Sequence, residues 1–417
     1  MLKVVPKKFK VHSLTGRIDE KLMLKAWKAV KRNRGASGID NISVEAYEKN
    51  LERNLERLMK KLKTRGVYKC APLKRVYIPK GKTGKLRPLG IPTIEDRIAQ
   101  EVIRQLIDPI FERMFHNNSF GFRLGRGCHQ AVEHVIKYRN DGYKHVVDID
   151  IKGFFDNIEH DVIMTFLRAE IADGNVLDII ETFLRSGVKE EGKIKPTTKG
   201  TPQGGVISPL LANITLNYLD WQLSSAGQKF VRYADDMVIL CKSRSEAENA
   251  LDFTLKILND LNLENSPEKT KIARPQEGFE FLGFEIKKQF IVMRRKSREK
   301  LEDALREATT RKHNLDAKVI EKLNRILRGT INYFCTHFSH VFGYFRNIES
   351  WLRRRIRSMK YKNIRHTNNF RLKNKHIWKR GLLRIRNLCL AAKARCNSPP
   401  NQGKRMGVAR CLKEARR

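Results

Sequence analysis

Apolar residues recur at two different spacings along this chain, and the two spacings together predict a mixture of helices and strands. An apolar residue at every third or fourth position predicts helices over 20–33, 44–63, 94–115 and 297–328. Short alternating or continuous apolar runs predict strands within 73–92, 145–151 and 230–240. Pro109 predicts a break in the third helix, and Gly329 predicts the end of the fourth. The pattern indicates an α+β protein.

The run FVRYADDMVIL, residues 230–240, places two adjacent carboxylates between two predicted strands. Two strand-forming runs separated by a few turn residues predict a hairpin, with Asp235 and Asp236 at its tip. Carboxylates at a buried tip are costly unless a cation compensates them, and Mg²⁺ prefers carboxylate and phosphate oxygens. An ordinary Asp-rich turn is the alternative interpretation of these residues alone.

A third carboxylate, Asp150, lies at the end of the alternating strand 145–151. Asp156, with Glu159 three residues later, has the spacing of a capping box and is most simply a helix cap. Asp150 has no such explanation. A third carboxylate beside the hairpin tip would complete a two-metal site for phosphoryl transfer.

Two glycine-containing segments carry groups suited to a nucleotide. The segment 73–92 reads as a basic hairpin, with cations at Lys80, Lys82, Lys85 and Arg87. Such cations can clamp a triphosphate, although basic hairpin tips are often only solvated. In the second segment, Gly204 and Gly205 permit close backbone approach to a ligand, and Gln203 offers an amide.

The net charge indicates a class of binding partner, about which the hydrophobic pattern says nothing. The 417 residues carry a formal net charge of +40 and a pI near 10.2, which favours nucleic acid as partner and an anionic membrane surface second. No apolar run approaches the roughly 18 residues of a membrane span, and the basic amino terminus lacks the apolar core of a signal peptide. From Trp351 onward, 22 Lys or Arg face one acid, Glu414, which predicts a polyanion-binding surface.

Cations are interleaved with aromatic residues in the segment that contains Phe120, Phe122, Arg123 and Arg126. This mixture suits base stacking and phosphate contact, while core packing of the phenylalanines is an equally good interpretation. The seven cysteines are scattered, with no C-x-x-C pair, so reduced thiols are expected rather than a zinc module or a disulfide framework.

In their order, these segments resemble the reverse transcriptases encoded by bacterial group II introns, the intron maturases. The resemblance rests on the motifs RPLGIP, SFGFRLGRGCHQAV, DIDIKGFFDNIEH, GTPQGGVISPLLANI, YADD, NSPEKTKI and FEFLGF. It implies a right-hand polymerase, with fingers and palm of antiparallel sheet plus helices, followed by a helical thumb. The implied domains are an amino-terminal extension and start of the fingers (1–72), a fingers–palm domain (73–290), a thumb or maturase domain (291–365) and a basic carboxyl-terminal nucleic-acid-binding segment (366–417).

The resemblance also implies roles for individual residues. Asp150, Asp235 and Asp236, with the backbone carbonyl of Ile151, match the family's ligands for two Mg²⁺ ions, which Mn²⁺ could replace. The matches for the nucleotide contacts are Lys80 (or Lys82 or Lys85), Arg87, the sugar gate Phe154, Gln203 and, near the primer, Lys269. Core packing is the alternative for Phe154. The expected nucleic-acid contacts are Arg123, Arg126, Arg353, Arg354, Arg355 and Arg357.

The implied function is an RNA-directed DNA polymerase that binds its group II intron RNA, assists its splicing and copies it by target-primed reverse transcription. The expected partners are intron RNA, a DNA primer or target and dNTPs, with no membrane; a homodimer stays open. The expected location is the bacterial cytoplasm, at the nucleoid. The last cysteines lack the spacing of the family's endonuclease domain, so an endonuclease-lacking member is expected. A splicing-only maturase with an inactive polymerase site, and a domesticated relative used in repair or defence, are the alternatives.

Overall fold

The chain folds into two compact units. The structure, a computed structural model, describes residues 10–79, 84, 86–201, 204–274 and 276–397. Unit 1 extends to Ile272, and unit 2 begins at Ala273. The predicted border between palm and thumb, at residue 290, therefore falls inside unit 2.

Unit 1 combines helices with two sheets. After a 3₁₀ turn at Thr15–Arg17, its helices are α1 (Glu20–Asn33), α2 (Val44–Glu48), α3 (Leu51–Lys63), α4 (Ile94–Glu112), α5 (Cys128–Asn140), α6 (Phe154–Asn157), α7 (His160–Glu170), α8 (Gly174–Leu184), α9 (Ser208–Ser225) and α10 (Arg244–Asp260). Its strands are β1 (Leu73–Pro79), β2 (Leu86–Ile91), β3 (His145–Ile149), β4 (Val188–Glu190), β5 (Lys193–Lys195), β6 (Lys229–Tyr233), β7 (Asp236–Cys241) and β8 (Lys271–Ala273), within which the unit ends.

The two sheets of unit 1 differ in topology. The first has the order β2-β1-β4-β5, with β1 antiparallel to β2 and parallel to β4. The second has the order β6-β7-β3-β8, and β7 runs antiparallel to both β6 and β3. One face of this second sheet belongs to the main hydrophobic core, because alternate residues such as Val147, Ile149, Met237 and Ile239 are fully buried in it.

Two helix predictions in unit 1 need correction. The stretch 44–63 forms α2 and α3 rather than one helix, and the chain breaks at Lys49 and Asn50. Pro109 does not break α4, which continues to Glu112. Because Pro109 lies in the last turn of that helix, its missing N–H removes one hydrogen bond near the end and little else.

Unit 2 contains a small antiparallel sheet and a set of helices. The sheet has the order β11-β10-β9. Its strands are β9 (Phe279–Phe281), β10 (Phe284–Ile286) and β11 (Ile291–Met293), and its helices are α11 (Arg295–Ala308), α12 (Ala317–Phe334), α13 (Phe342–Tyr361), α14 (Asn368–Arg371), α15 (Asn374–Lys379) and α16 (Ile385–Asn397).

The prediction of a single helix over 297–328 is wrong, because two helices occupy that stretch. The second starts at a new cap, since the Asp316 carboxylate accepts a hydrogen bond from the Val319 amide at 2.8 Å. Gly329 lies inside α12 rather than at its end. A Cβ at Gly329 would meet nothing within 4 Å, so no backbone feature requires a stop there.

Two further predictions concern cysteines and membranes. Cys335 and Cys389 are buried free thiols whose Sγ atoms lie 2.8 Å apart in unit 2. Because the two cysteines are 54 residues apart, the sequence alone did not predict this contact. Within the part of the chain that the structure describes, no helix has the length and apolarity needed to cross a bilayer.

Candidate active site

The carboxylates of the YADD motif lie at a hairpin turn, as predicted. Strands β6 and β7 pair up to Tyr233 and Asp236, which leaves Ala234 and Asp235 as the two turn residues. Ala234 has φ +58°, and the tight two-residue hairpin turns require a positive φ at this position, which glycine usually fills. The turn is therefore strained at one residue and needs support from its surroundings.

A buried ion pair provides that support. The side chain of Arg232 is fully buried and binds the Asp220 carboxylate of α9 through Nε (2.7 Å) and a terminal nitrogen (2.5 Å). Its other terminal nitrogen donates to Asn213 Oδ1 and to the Ala234 carbonyl, both at 2.9 Å. Because the pair is bidentate and both charges are compensated, Arg232 can hold the turn backbone in a fixed position.

The opposite side of the turn is packed against Gly121. A Cβ at this position would lie 2.3 Å from the Ala234 nitrogen and 2.9 Å from the Tyr233 carbonyl carbon, so only glycine fits. The Gly121 carbonyl in turn accepts a hydrogen bond from Asn213 Nδ2 at 2.8 Å. Asn213 thus connects the backbone beside the turn with the Arg232 ion pair.

The structure brings Asp150 to the same end of the sheet as the turn. Ile149 on β3 pairs with Met237 on β7, so the next residue along β3, Asp150, lies beside the start of β7. The Asp150 backbone is held by two contacts: its carbonyl accepts from the Ser266 amide at 2.8 Å, and its amide donates to Thr270 Oγ1 at 3.4 Å. The backbone that carries the Asp150 carboxylate is therefore held at both its amide and its carbonyl.

The charges at this end of the sheet perturb Asp235. Burial raises the pKa of the Asp235 carboxyl, and the negative charge of Asp150 raises it further, whereas Arg87 and Arg232 act in the opposite direction. Lys269, from the segment after α10, donates from Nζ to Asp150 Oδ1 at 2.8 Å. The site therefore contains two interacting carboxylates with cations around them.

The fit of a divalent cation can be judged from these donors. The negative charge of Asp150 raises the cost of ionising Asp235, and a bound cation would offset that cost. Ile151 and Asn265 form an isolated β-bridge. Its hydrogen bonds come from the flanking residues: the Lys152 amide donates to the Glu264 carbonyl at 2.9 Å, and the Ser266 amide donates to the Asp150 carbonyl. The Ile151 carbonyl is therefore unused in the bridge. These oxygens suit Mg²⁺.

The predicted third carboxylate, Asp236, precedes Met237, the partner of Ile149, and so begins β7 beside Asp150. Asp236 is exposed at the first position of β7. Within residues 10–397, as far as the structure describes them, no group of three or more His, Cys, Asp or Glu side chains is assembled for a metal. The structure thus supports a pair, Asp150 and Asp235, and the place of Asp236 in the site stays a prediction.

Several predicted nucleotide contacts lie outside the described residues. These are Lys80, its proposed substitutes Lys82 and Lys85, and Gln203. Arg87 lies on β2, is exposed, and is close enough to act electrostatically on Asp235. On the far side of Gln203, Gly204 has φ +117°, and a Cβ there would lie 2.6 Å from the Gly90 carbonyl of β2. The glycine loop and the basic hairpin are therefore adjacent.

Phe154 occupies the core position that was the alternative to a sugar gate. It is 2% exposed and belongs to the main hydrophobic cluster, while Phe155 beside it is half-buried. The loop that contains Gly200 is bonded to this short helix, since the Thr201 amide donates to the Phe155 carbonyl at 2.7 Å. The gating role stays a prediction.

The basic residues predicted to contact nucleic acid occupy different environments. The guanidinium of Arg123 is buried against Glu112 (2.8 Å) and the carbonyls of His116 (2.6 Å) and Ser119 (2.8 Å), which supports a structural role. Arg126 is half-buried, donates to the carbonyl of Asn117 and stacks over Phe120.

The four predicted arginines of α13 also lie in different environments. Arg353 and Arg354 line a cavity. Arg357 is buried in the wall of that cavity. Arg355 is used inside the unit, because its Nε donates to Thr309 Oγ1 at 2.7 Å and its guanidinium stacks over Trp351. Nucleic-acid contact by these residues stays a prediction.

The sequence reasoning missed the residues that position the site. Arg232, Asp220 and Asn213 were not assigned any role, although Arg232 is the one charge in the apolar and aromatic run 230–233. Such a charge should have prompted a search for a buried partner. Nothing in the sequence marks Asp220 as that partner.

Comparison with known families gives two matches along the chain. Residues 78–286 match the model of the reverse transcriptase (RNA-dependent DNA polymerase) family. Residues 298–381 match the group II intron, maturase-specific domain. The first match covers the candidate site and half of the chain, and the second lies in unit 2.

Individual relatives agree with these matches. The chain is 31% identical to the group II intron-encoded protein LtrA of Lactococcus lactis subsp. cremoris over 63% of this chain and 54% of LtrA. It is 32% identical to the protein YkfC of Escherichia coli (strain K12) over 60% of this chain and 75% of YkfC. The chain thus spans about half the length of the first of these relatives. The chain belongs to the reverse transcriptase family, among the members that carry a group II intron maturase-specific domain.

Proposed function

We propose that the protein is an RNA-directed DNA polymerase that also binds a group II intron RNA and assists its splicing. The observation that carries the proposal is the convergence of Asp150 and Asp235 at one end of a sheet, within a domain of the reverse transcriptase family. The proposed substrates are dNTPs and a DNA primer paired to an RNA template. The intron RNA is assigned as a partner because of the maturase-specific match in unit 2.

The reaction would be in-line attack of a primer 3′-hydroxyl on the α-phosphate of a dNTP, with pyrophosphate as the leaving group. Asp150, Asp235 and the Ile151 carbonyl would hold Mg²⁺, with Asp236 as an additional predicted ligand. When bound, two such ions would activate the attacking oxygen and stabilise the leaving one. Mn²⁺ could replace Mg²⁺, since both take oxygen ligands.

The chain's own residues would orient the reactants. Arg87 would bind the phosphates of the dNTP with its forked guanidinium, since its charge already acts on Asp235. Lys269 would neutralise Asp150 until substrate and cation arrive, and then turn to a phosphate of the primer strand. Arg232 would keep Asp235 in place through the Ala234 carbonyl. The net charge of +40 would hold template and primer through their phosphates.

Primer extension with poly(rA)/oligo(dT), dTTP and Mg²⁺ tests the proposal. We expect Asp235→Ala/Asp236→Ala to lower the rate at least about 10³-fold, because several kcal/mol of transition-state stabilisation would be lost. Glu248→Ala/Asp252→Ala, which removes two exposed acids from α10, is the matched control and should keep the wild-type rate. Equal rates for the two double variants would refute the polymerase.

A splicing-only maturase is the second candidate. It is favoured by the ion pair that already occupies Asp150 (Lys269 Nζ at 2.8 Å) and by the absence of a three-residue metal cluster among the described side chains. Its signature would be a wild-type protein that binds and splices the intron RNA but extends primers no better than Asp235→Ala/Asp236→Ala.

A further inference from the structure

A basic cavity in unit 2 lies outside the polymerase site. It has a volume of about 410 Å³ and is lined by Ser350, Arg353, Arg354, Arg357, Asn369, Lys373 and Asn374. The α13 members, from Ser350 to Arg357, recur at three- and four-residue spacing and so share one face of the helix. Its opposite wall comes from α14 and the start of α15. The volume is in the range of cavities that bind small ligands.

The charge of this cavity is not neutralised by its own lining. The lining includes four cations and no carboxylate. Glu349 lies 3.6 Å from Arg353 at the margin, but the sequence from Ser350 to Asn397 contains no Asp or Glu at all. Burial lowers the pKa of the Arg357 guanidinium, and the neighbouring charge of Arg353 lowers it further. One carboxylate at the margin therefore faces four cations, and an anion in the cavity would stabilise the remaining positive charge.

The cavity wall is preformed rather than assembled by a ligand. Arg357 is 7% exposed, and its Nε donates to the Leu372 carbonyl at 2.9 Å while a terminal nitrogen donates to Asn374 Oδ1 at 2.6 Å. Asn368, 2% exposed, donates to Asn363 Oδ1 at 3.0 Å. These contacts attach α14 and α15 to the end of α13, so the cavity exists without ligand.

An exposed aromatic side chain accompanies the cavity. Phe370 follows the lining residue Asn369 and is 76% exposed, although most phenylalanines of this chain are buried. Its helical turn is fixed on the other side by Arg371, whose guanidinium lies 4.4 Å from the centre of the Tyr361 ring. An exposed aromatic ring on the short helix that also lines a basic cavity suits unpaired nucleotides, with stacking on the ring and phosphate on the cations.

We propose that this cavity binds one backbone phosphate of an unpaired nucleic-acid strand, and that Phe370 stacks on the adjacent base. The lining supplies amide and hydroxyl groups from Asn369, Asn374 and Ser350 for the sugar. A duplex is a poor ligand, because its bases are stacked inside and do not reach an exposed ring. RNA and DNA strands share this chemistry, and the ligand arms of the experiment distinguish them. The site deepens the nucleic-acid binding proposed above and rests on that part of it.

The test measures binding without dNTPs, so that its result does not depend on catalysis. Fluorescein-labelled 20-mers of single-stranded RNA, single-stranded DNA and duplex RNA are titrated with the full chain by anisotropy at several salt concentrations. The cavity variant is Arg354→Ala/Lys373→Ala, in which both replaced side chains are exposed. The matched control is Arg325→Ala/Arg328→Ala, which removes the same charge from exposed positions of α12.

We expect the cavity variant to bind single strands at least tenfold more weakly than the control variant. The slope of log affinity against log salt should fall by about 0.7, the contribution of one phosphate in a single strand. Phe370→Ala should weaken single-strand binding about 5- to 100-fold with an unchanged slope, because stacking is not ionic. If the cavity variant loses affinity for single-stranded RNA alone, RNA is the ligand of the cavity. If it loses affinity for RNA and DNA equally, the cavity binds either kind of strand.

Three outcomes would overturn the proposal. They are equal losses in the cavity and control variants, an unaltered affinity in Phe370→Ala, and a loss for duplex RNA as large as that for single strands. A strand containing 2-aminopurine gives a second readout, since its fluorescence should be quenched by wild type and not by Phe370→Ala. If primer extension fails while these binding differences hold, the polymerase proposal falls and the cavity assignment stands.

Discussion

Arg232 in unit 1 and Arg357 in unit 2 are both buried arginines, but their partners differ. Arg232 binds the carboxylate of Asp220, so its charge is neutralised and its remaining donors are available to position a backbone carbonyl. Arg357 donates to two neutral acceptors, the Leu372 carbonyl and the Asn374 amide oxygen, so its charge remains. A buried guanidinium that faces a carboxylate organises the fold around it, whereas one with neutral partners contributes a positive field to the cavity beside it.

Removal of the carboxylate in the first pair should have the largest effect. Asp220→Leu leaves the Arg232 guanidinium buried without a counter-charge, and we expect the unfolding transition of unit 1 to lose about 3–5 kcal/mol. The double variant Arg232→Met/Asp220→Leu should recover most of that stability, because two apolar side chains of similar size replace the pair. Chemical denaturation followed by circular dichroism measures both.

The same double variant separates stability from positioning. It no longer donates to the Ala234 carbonyl, so primer extension should stay well below wild type even where stability returns. A double variant with wild-type extension would show that the ion pair stabilises the fold but does not position the YADD turn. A loss below about 1 kcal/mol in Asp220→Leu would contradict the burial argument itself.

The corresponding change in unit 2 should cost less. Arg357→Met removes the hydrogen bonds to Leu372 and Asn374 but leaves no charge unpaired, so we expect a loss of about 1–3 kcal/mol in the stability of unit 2. Arg354→Met, an exposed change on the same helix, is the control and should stay within about 0.5 kcal/mol of wild type. If Arg357→Met cost as much as Asp220→Leu, the proposed contrast between the two arginines would be wrong.

The smallest expected effect concerns pH and Asp235. Since folding raises the pKa of this carboxyl, ionised Asp235 destabilises the cation-free protein. The free energy of unfolding therefore falls as the pH rises through the raised pKa. Asp235→Asn should therefore raise the Tm at pH 7–8, and the gain should disappear as the pH falls to the ordinary aspartate pKa of about 3.9. Thermal scans between pH 4 and 8 measure the gain.

The Mg²⁺ dependence of the same transition provides a check. Added Mg²⁺ should raise the Tm of the wild type by mass action and have a much smaller effect on Asp235→Asn. If the Tm gain of Asp235→Asn were equal at all pH values, the pKa of the Asp235 carboxyl would not be raised in the folded protein. Equal Mg²⁺ stabilisation of both proteins would place the cation elsewhere.

Much of unit 1 followed from local pattern, because each prediction depended on neighbours in sequence. The YADD hairpin and α1 were predicted from spacing alone, and the structure has both. The predictions that failed were helix boundaries: the interruption between α2 and α3, the intact α4 at Pro109, and the separate α11 and α12. Apolar periodicity shows that helices are present but does not fix the residues at which they begin, end or continue through a proline.

The sequence by itself determined the family and the excess of positive charge, since motifs and composition are properties of the chain, and it predicted the three aspartates as metal ligands. Only the tertiary structure decided which charges are neutralised. Asp220 and Arg232 are twelve residues apart and on different elements, and the cavity walls of unit 2 come from three separate helices. Electrostatic compensation depends on distance in space and on burial. A list of charges therefore predicts that nucleic acid binds but not where.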